Sequence, residues 1–166
     1  EQNPELDVVI VEADICGAGA SGRNGGCALS WSAKFFTLER LFGVEEAVRL
    51  VKESEQSIYA IGDFCKKYAV DADYRLDGTL YTATNRAQVG STDGVIAALE
   101  RHGINSFSKR PLPEVQRMSG STRHVEGWFS PAAASVQPGK LVRGLRRVAL
   151  ELGVRIHEGS PMTGLE

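Results

Sequence analysis

Short apolar segments alternate with longer segments of helical periodicity along this chain. Residues 7–12 form a β-branched run that ends in an acid, which predicts a short buried strand. Apolar side chains then recur at helical spacing in three long segments, residues 44–68, 85–103 and 138–152. Pro138 suits the first turn of the last helix, since the N–H that proline lacks is unpaired there anyway. The pattern therefore predicts three long helices.

The segments between these helices predict strands and one short helix. Strands are expected over residues 75–84, 124–136 (one or two strands) and 154–157, and a short helix over residues 111–118. Gly62 interrupts the first helical pattern, which indicates a bend or a close neighbour. Because strands alternate with helices, the sequence predicts a mixed α/β fold.

Glycine is the unusual feature of the composition. The chain has 166 residues, the size of one domain, and 18 of them are glycine, against a typical share of about 7%. Five of the 18 lie between Gly17 and Gly26. The formal net charge is −2, so no basic excess points to nucleic acid or to an anionic membrane. Glycine at this density indicates turns or close backbone approach to a ligand.

The cysteines and histidines predict no metal site. Cys16, Cys27 and Cys65 form no Cys-x-x-Cys pair, and the three histidines are widely spaced. Free thiols suit a reducing cytoplasm, which is the predicted location. The longest aliphatic run, residues 8–11, is far shorter than the roughly 20 residues of a membrane helix.

Residues 17–22 read Gly-Ala-Gly-Ala-Ser-Gly, a literal G-x-G-x-x-G. One interpretation is an NAD-binding module, which requires a helix that starts near Gly19. Two features argue against it: Asp14, Ile15 and Cys16 lie between the acidic end of the strand and the first glycine, and residues 23–26 are a poor helix start. We therefore expect residues 15–32 to be a glycine-rich connection that is coil through Gly26.

Glu12 indicates a different register. In a Rossmann unit, an acid at the tip of the second strand binds the ribose, about 20 residues after the glycine fingerprint. Only eleven residues stand before Glu12, so on this interpretation the fingerprint precedes Glu1. An ordinary acid at the end of a strand is the alternative.

The string Val-Val-Ile-Val-Glu-Ala at residues 8–13, followed by Gly-Ala-Ser-Gly-Arg-Asn-Gly-Gly at residues 19–26, strongly resembles the flavin-dependent oxidoreductases of the D-amino-acid oxidase (DAO) type. This family includes glycine oxidase and γ-glutamylputrescine oxidase. Further similarities follow in the expected order at residues 74–80, 135–141 and 153–162, whereas residues 85–125 match only loosely.

The resemblance implies a partial Rossmann-like FAD-binding domain over residues 1–166. That domain would lack its first strand, the G-x-G-x-x-G loop and the helix that follows. Residues 1–34 would supply the second strand and a loop against the flavin, residues 35–137 the inserted helices and strands, and residues 138–166 the return to the FAD domain. The chain is then expected to be an interior slice of a longer enzyme.

The resemblance also implies the site. FAD would bind non-covalently, since no histidine occurs between Glu1 and Gly90. Glu12 would accept hydrogen bonds from the ribose, the loop would wrap the pyrophosphate and the ring system, and the backbone of Met162 would meet the adenine. The predicted cofactor-binding residues are Glu12, Ala13, Gly19, Ala20, Ser21, Gly22, Arg23, Asn24, Gly25, Gly26 and Met162. No catalytic residue is assigned.

The function that the resemblance implies is oxidation of the C–N bond of a small amine or amino acid, by hydride transfer to the flavin. The isolated chain is expected to be inactive. Two alternatives remain. One is a non-catalytic folded remnant that self-associates through exposed strand edges, and the other is the NAD-binding module that uses Gly17–Gly22.

Overall fold

The structure of the protein is a computed structural model that describes residue 3 and residues 5–164. The strands and helices follow in the order β1 (Val9–Val11), α1 (Ala20–Arg23), β2 (Cys27–Leu29), α2 (Phe35–Phe42), α3 (Val44–Lys67), β3 (Thr79–Ala83), α4 (Asp93–Arg101), β4 (Ser108–Lys109), α5 (Leu112–Ser119), β5 (Glu126–Ser130), β6 (Ala133–Ser135), α6 (Pro138–Glu151) and β7 (Arg155–His157). This mixture of helices and strands confirms the predicted α/β class.

The chain forms two compact units. Unit 1 comprises Glu1–Cys27, Gly62–Tyr74 and Ser135–Glu166, and unit 2 comprises Ala28–Ile61 and Arg75–Ala134. The three-part division expected from the resemblance stays a prediction.

Unit 1 is built on two parallel strands. Strand β1 pairs with β7, and Ile10 lies opposite Ile156. Helix α6 leads into β7 and begins as predicted at Pro138, where the Gln137 side chain accepts a hydrogen bond from the Lys140 N–H at 2.6 Å. Such a cap satisfies an N–H group that the first turn of a helix leaves unpaired.

Helix α3 passes through Gly62 without a break, and the glycine admits a close neighbour in unit 1. A Cβ at Gly62 would lie 2.6 Å from the ring of Tyr74. The prediction of a close neighbour at this glycine is therefore confirmed.

Unit 2 holds a three-stranded antiparallel sheet in the order β3-β5-β4. Leu80 lies opposite Phe129, and Lys109 lies opposite Trp128. Strands β5 and β6 confirm the expected strands over residues 124–136, and β2 pairs with β6. Helices α2, α3 and α4 bury the main apolar cluster, which includes Phe35, Leu38, Val51, Ile96, Leu99, Ile104 and Phe107.

One helix was predicted with the wrong start, and another was not predicted. The helix expected over residues 85–103 begins only at Asp93, because a 3-10 turn at Arg86–Gln88 and the left-handed backbone of Gly90 (φ +76°) precede it. Helix α2 was not predicted at all. Its apolar residues do have helical spacing, but Gly43 separates it from α3 with φ +82°, and an eight-residue segment offers little periodicity to detect.

Within the described part of the chain, no helix combines the length and the apolar character that crossing a membrane requires.

Candidate functional site

Glu12 lies immediately after β1 and joins the segment that follows β7. Its N–H donates to the carbonyl of His157 at 2.9 Å, and its carbonyl accepts from the Ser160 N–H at 2.8 Å. The carboxylate oxygen Oε1 accepts from the Asp14 N–H at 2.9 Å. The two strand ends are thus tied together by backbone hydrogen bonds, and the acid stands at their tip.

The Glu12 side chain keeps acceptor capacity for a ligand. Among the residues that the structure describes, its oxygen Oε2 makes no hydrogen bond and its carboxylate forms no ion pair. A carboxylate offers only acceptors. The half-buried side chain therefore fits a ligand that presents hydroxyl donors, as a ribose does.

The segment after Glu12 contains a helical turn where coil was predicted. Helix α1 covers Ala20–Arg23, so the expectation of coil through Gly26 was wrong. Asn24 ends the helix in an extended conformation, and its side-chain amide donates to the carbonyls of Ala20 and Ser21 at 3.1 and 3.0 Å. Because these contacts satisfy carbonyls that a helix end leaves unpaired, one turn is stable here.

Asn24 also shapes the double glycine that follows it. Its Oδ1 accepts the Gly26 N–H at 2.8 Å, and the Gly26 carbonyl accepts the Val136 N–H at 2.9 Å. The Asn24 side chain is therefore committed to the loop's own backbone, which makes it an anchor of this loop.

Two glycines of the loop are required by the protein's own packing. A Cβ at Gly22 would lie 2.1 Å from the carbonyl oxygen of Gly17, and a Cβ at Gly26 would lie 2.1 Å from that of Val136. Gly26 also has φ +72°, a left-handed conformation that glycine adopts without strain. Internal contacts are a sufficient reason for both glycines.

Gly19 and Gly25 have no such reason. A Cβ at either position would meet no atom within 4 Å, and neither residue has left-handed backbone. Internal packing and backbone conformation require glycine at neither of these two exposed positions, and only Gly19 has a further local role, as the N-cap of α1. Close approach of a ligand to the backbone is the usual alternative reason for a glycine, so the loop has the form of a cradle that side chains at Gly19 and Gly25 would fill.

The other predicted cofactor residues are accessible. Ala13, Ala20, Ser21 and Arg23 are exposed, and Met162 is 69% exposed in the segment after β7. All eleven predicted residues belong to unit 1. The structure joins the segments after β1 and β7 through Glu12 and Ser160, while a contact of Met162 with a cofactor stays a prediction.

A cavity of about 590 Å³ lies beside this loop in unit 1. Its lining includes Arg23 from α1, Arg143 and Arg146 from α6, the segment 14–18 and Glu158. No sequence pattern predicted this cavity. The available signal was the spacing of Arg143 and Arg146, which places both on one face of a helix, but no spacing predicts that residue 158 folds back onto residue 16.

Glu158 connects the segment after β1 to α6. Arg146 binds it through two hydrogen bonds, Nε to Oε1 at 3.0 Å and Nη2 to Oε2 at 2.7 Å, and the Cys16 N–H donates to Oε1 at 2.8 Å. The Arg146 guanidinium and then the Cys16 amide lower the pKa of the Glu158 carboxyl to about 2. The carboxylate is therefore ionised at neutral pH and holds the start of the loop.

The surroundings of Cys16 favour the neutral form of its thiol. Burial and the neighbouring Glu158 carboxylate both raise its pKa, so the thiolate is disfavoured at neutral pH. Cys16, Cys27 and Cys65 are all free, as predicted.

A parallel strand pair, an acid at its tip and a glycine loop are features of the dinucleotide-binding α/β class. Residues 2–166 match the family model described as FAD dependent oxidoreductase (DAO). The chain therefore belongs to the DAO family of FAD-dependent oxidoreductases, which confirms the resemblance.

Curated relatives support the same family. The chain is 29% identical over 162 residues to γ-glutamylputrescine oxidoreductase of Escherichia coli (strain K12), which covers 97% of this chain and 38% of that protein. It is 28% identical over 165 residues to the probable oxidoreductase OrdL of Rhizobium meliloti (strain 1021), with 96% of this chain and 38% of that protein covered. The chain thus spans well under half the length of the curated relatives that it matches.

Solved structures show the same fold. Glycine oxidase from Bacillus cereus ATCC 14579 superposes with a TM-score of 0.72 at 18% identity, over 98% of this chain and 42% of that chain. L-amino acid deaminase from Proteus myxofaciens superposes with a TM-score of 0.75 at 19% identity, over 97% of this chain and 34% of that chain.

Proposed function

We propose that this chain supplies part of the FAD site of a longer enzyme, and that the enzyme oxidises the C–N bond of a small amine or amino acid. The main support for FAD as the cofactor is the glycine loop. Gly19 and Gly25 lack side chains at positions where the protein itself leaves room for them. A flat cofactor against the loop backbone gives a reason for both glycines.

Each end of the site has a defined task in this proposal. Glu12 offers its free oxygen Oε2 to the ribose hydroxyls, and Asn24 holds the loop in shape through its contacts with Ala20, Ser21 and Gly26. Bound FAD supplies the hydride acceptor for the oxidation. The chain's own residues bind and orient it, and no residue described here is assigned a proton-transfer role.

The nitrogen-containing substrate class is supported by the names of similar proteins. γ-Glutamylputrescine oxidoreductase, glycine oxidase and L-amino acid deaminase are all named for compounds that contain an amino group. We infer a substrate of the same class for the whole enzyme, bound by parts of the protein that include residues outside this chain.

The experiment uses the gene product that carries this chain, purified with its cofactor. Its visible spectrum is recorded without oxygen before and after addition of primary amines or α-amino acids, with 2-hydroxy acids as matched controls. Bleaching of the flavin absorbance by a nitrogen compound supports the proposal. Bleaching by the hydroxy acids alone would refute the C–N substrate, and a purified protein that never binds FAD would refute the cofactor.

The sequence left two alternatives. Helix α1 does begin beside Gly19, as an NAD-binding module at Gly17–Gly22 requires, but it is only four residues long, and the family membership favours FAD. Self-association of a non-catalytic remnant, or of the enzyme itself as a homo-oligomer, stays a prediction, as does the cytoplasmic location. Sedimentation across micromolar concentrations tests self-association, and a monomer at every concentration would exclude it.

A further inference from the structure

The cavity beside the glycine loop has an unusual set of charges. Three guanidinium groups line it, those of Arg23, Arg143 and Arg146, and we call it the arginine pocket. Two carboxylates, Asp14 and Glu158, also line it. The three cations outnumber the two anions, in a chain whose formal net charge is −2.

The three arginines differ in their partners. Arg146 is neutralised by its two hydrogen bonds to Glu158. Within the described residues, Arg23 and Arg143 form no ion pair and their guanidinium groups donate no hydrogen bond. The other two arginines of unit 1 each have a carboxylate partner, Arg147 with Glu151 and Arg155 with Asp7. Both arginines of unit 1 that have no carboxylate partner among the described residues therefore line this pocket.

The pocket's wall is fixed by the protein backbone. Gly17 packs against Val142 of α6, with left-handed backbone (φ +93°), and the neighbouring Cys16 N–H is bonded to Glu158. On the other wall, Arg143 Nη1 lies 3.4 Å from the position that a Cβ on Gly139 would take. Arg143 is therefore placed by α6 and Arg23 by α1, so that the two cations project from different elements.

We propose that the arginine pocket binds a phosphate-bearing group through Arg23 and Arg143. The guanidinium fork matches the oxygen atoms of a phosphate, and charge-assisted hydrogen bonds of this kind are among the strongest in proteins. A cavity of about 590 Å³ has room for a phosphate or a diphosphate with its substituents. Neutralised Arg146 and Glu158 form a fixed wall, while the two unpaired arginines make the contacts.

Two kinds of ligand carry a phosphate group that this pocket would recognise in the same way. One is the diphosphate of FAD, because Arg23 belongs to the loop proposed to face the cofactor. The other is a separate phosphate-bearing ligand that binds while FAD is in place. The proposal of a phosphate site is argued from the charged residues and the walls of the pocket, so it does not depend on which bond the enzyme oxidises.

The experiment uses the gene product that carries this chain and the variant Arg143→Gln. Arg40→Gln is the matched control, because it removes the same charge from an exposed position in α2. Dissociation constants are measured by calorimetry for FAD on the apoprotein and for inorganic pyrophosphate on both apoprotein and holoprotein. Unfolding midpoints establish whether each variant is folded. If Arg143→Gln is unfolded, Arg143→Lys, which keeps the charge, is used instead.

We expect Arg143→Gln to weaken phosphate binding by about tenfold, and Arg40→Gln to change it by less than about twofold. Weaker FAD binding together with competition by pyrophosphate identifies the cofactor as the source. Unchanged FAD binding with loss of pyrophosphate binding to the holoprotein identifies a separate ligand. Equal effects of Arg143→Gln and Arg40→Gln, or no effect on either ligand, would overturn the proposal. The pyrophosphate titration remains decisive even if the FAD proposal fails.

Discussion

The two units of this chain differ in how deeply they bury the apolar residues compared below. Unit 2 buries a cluster in which Phe35 and Leu99 are each only 1% exposed. In unit 1, by contrast, Val9, Ile10 and Val11 of the parallel strand β1 are 41–54% exposed. Contiguous exposed apolar surface is typical of a face that meets another protein segment or a ligand. The main buried cluster thus belongs to unit 2, while the parallel strand β1 of unit 1 is exposed and unit 1 carries every predicted cofactor residue.

The largest difference between the units is expected when an apolar side chain is truncated to alanine. Leu99→Ala removes a fully buried side chain and should lower the free energy of unfolding by about 3 kcal/mol. Ile10→Ala removes a side chain that is 41% exposed and should cost less than about 1 kcal/mol in the 166-residue chain. Denaturant unfolding of both variants gives the comparison. Equal costs in the whole gene product would show that further protein covers β1.

The next largest effect concerns the two kinds of glycine in the loop. Gly22→Ala places a Cβ against the Gly17 carbonyl and should lower the free energy of unfolding by about 2 kcal/mol. Gly19→Ala places one in open space and should change it by less than about 0.5 kcal/mol. Thermal unfolding of the pair is the measurement. A tolerated Gly22→Ala would contradict the described packing of α1 against the Gly17 turn.

A smaller effect is expected from the ion pair that holds the start of the loop. Since folding lowers the pKa of Glu158 from 4.5 to about 2, its contribution is complete above pH 4.5 and declines as the pH falls toward 2. Glu158→Gln should therefore remove part of the loss of stability in this acid range. Unfolding midpoints measured against pH check the slope, and an unchanged slope would show that Glu158 is not paired.

The smallest effect is expected on the exposed face of α3. Arg49 bonds Glu46 and Glu53 at 2.5 and 2.6 Å, but all three side chains are well exposed. Solvent and salt screen such pairs. Arg49→Ala should therefore shift the unfolding midpoint less than Glu158→Gln does at neutral pH. A larger shift would mean that surface charges stabilise this helix more than packing does.

The sequence predicted features that local patterns control. The Pro138 start predicted α6, and the loop motif predicted the family. The run at residues 8–11 predicted strand β1, but the expectation that this strand is buried was wrong, since Val9, Ile10 and Val11 are 41–54% exposed. Helix α1 was missed because its single turn is stabilised by the Asn24 side chain, which no periodicity reveals. The arginine pocket was missed because it depends on Glu158 reaching Cys16, 142 positions away in the sequence.

The central claim is that FAD lies against the backbone of the glycine loop. The most direct measurement is the FAD dissociation constant of the gene product with Gly25→Val, where the protein leaves open space for the new side chain. We predict that FAD binding weakens by about tenfold or more while the unfolding midpoint of the apoprotein stays the same. Unchanged FAD affinity in a folded Gly25→Val variant would contradict the claim.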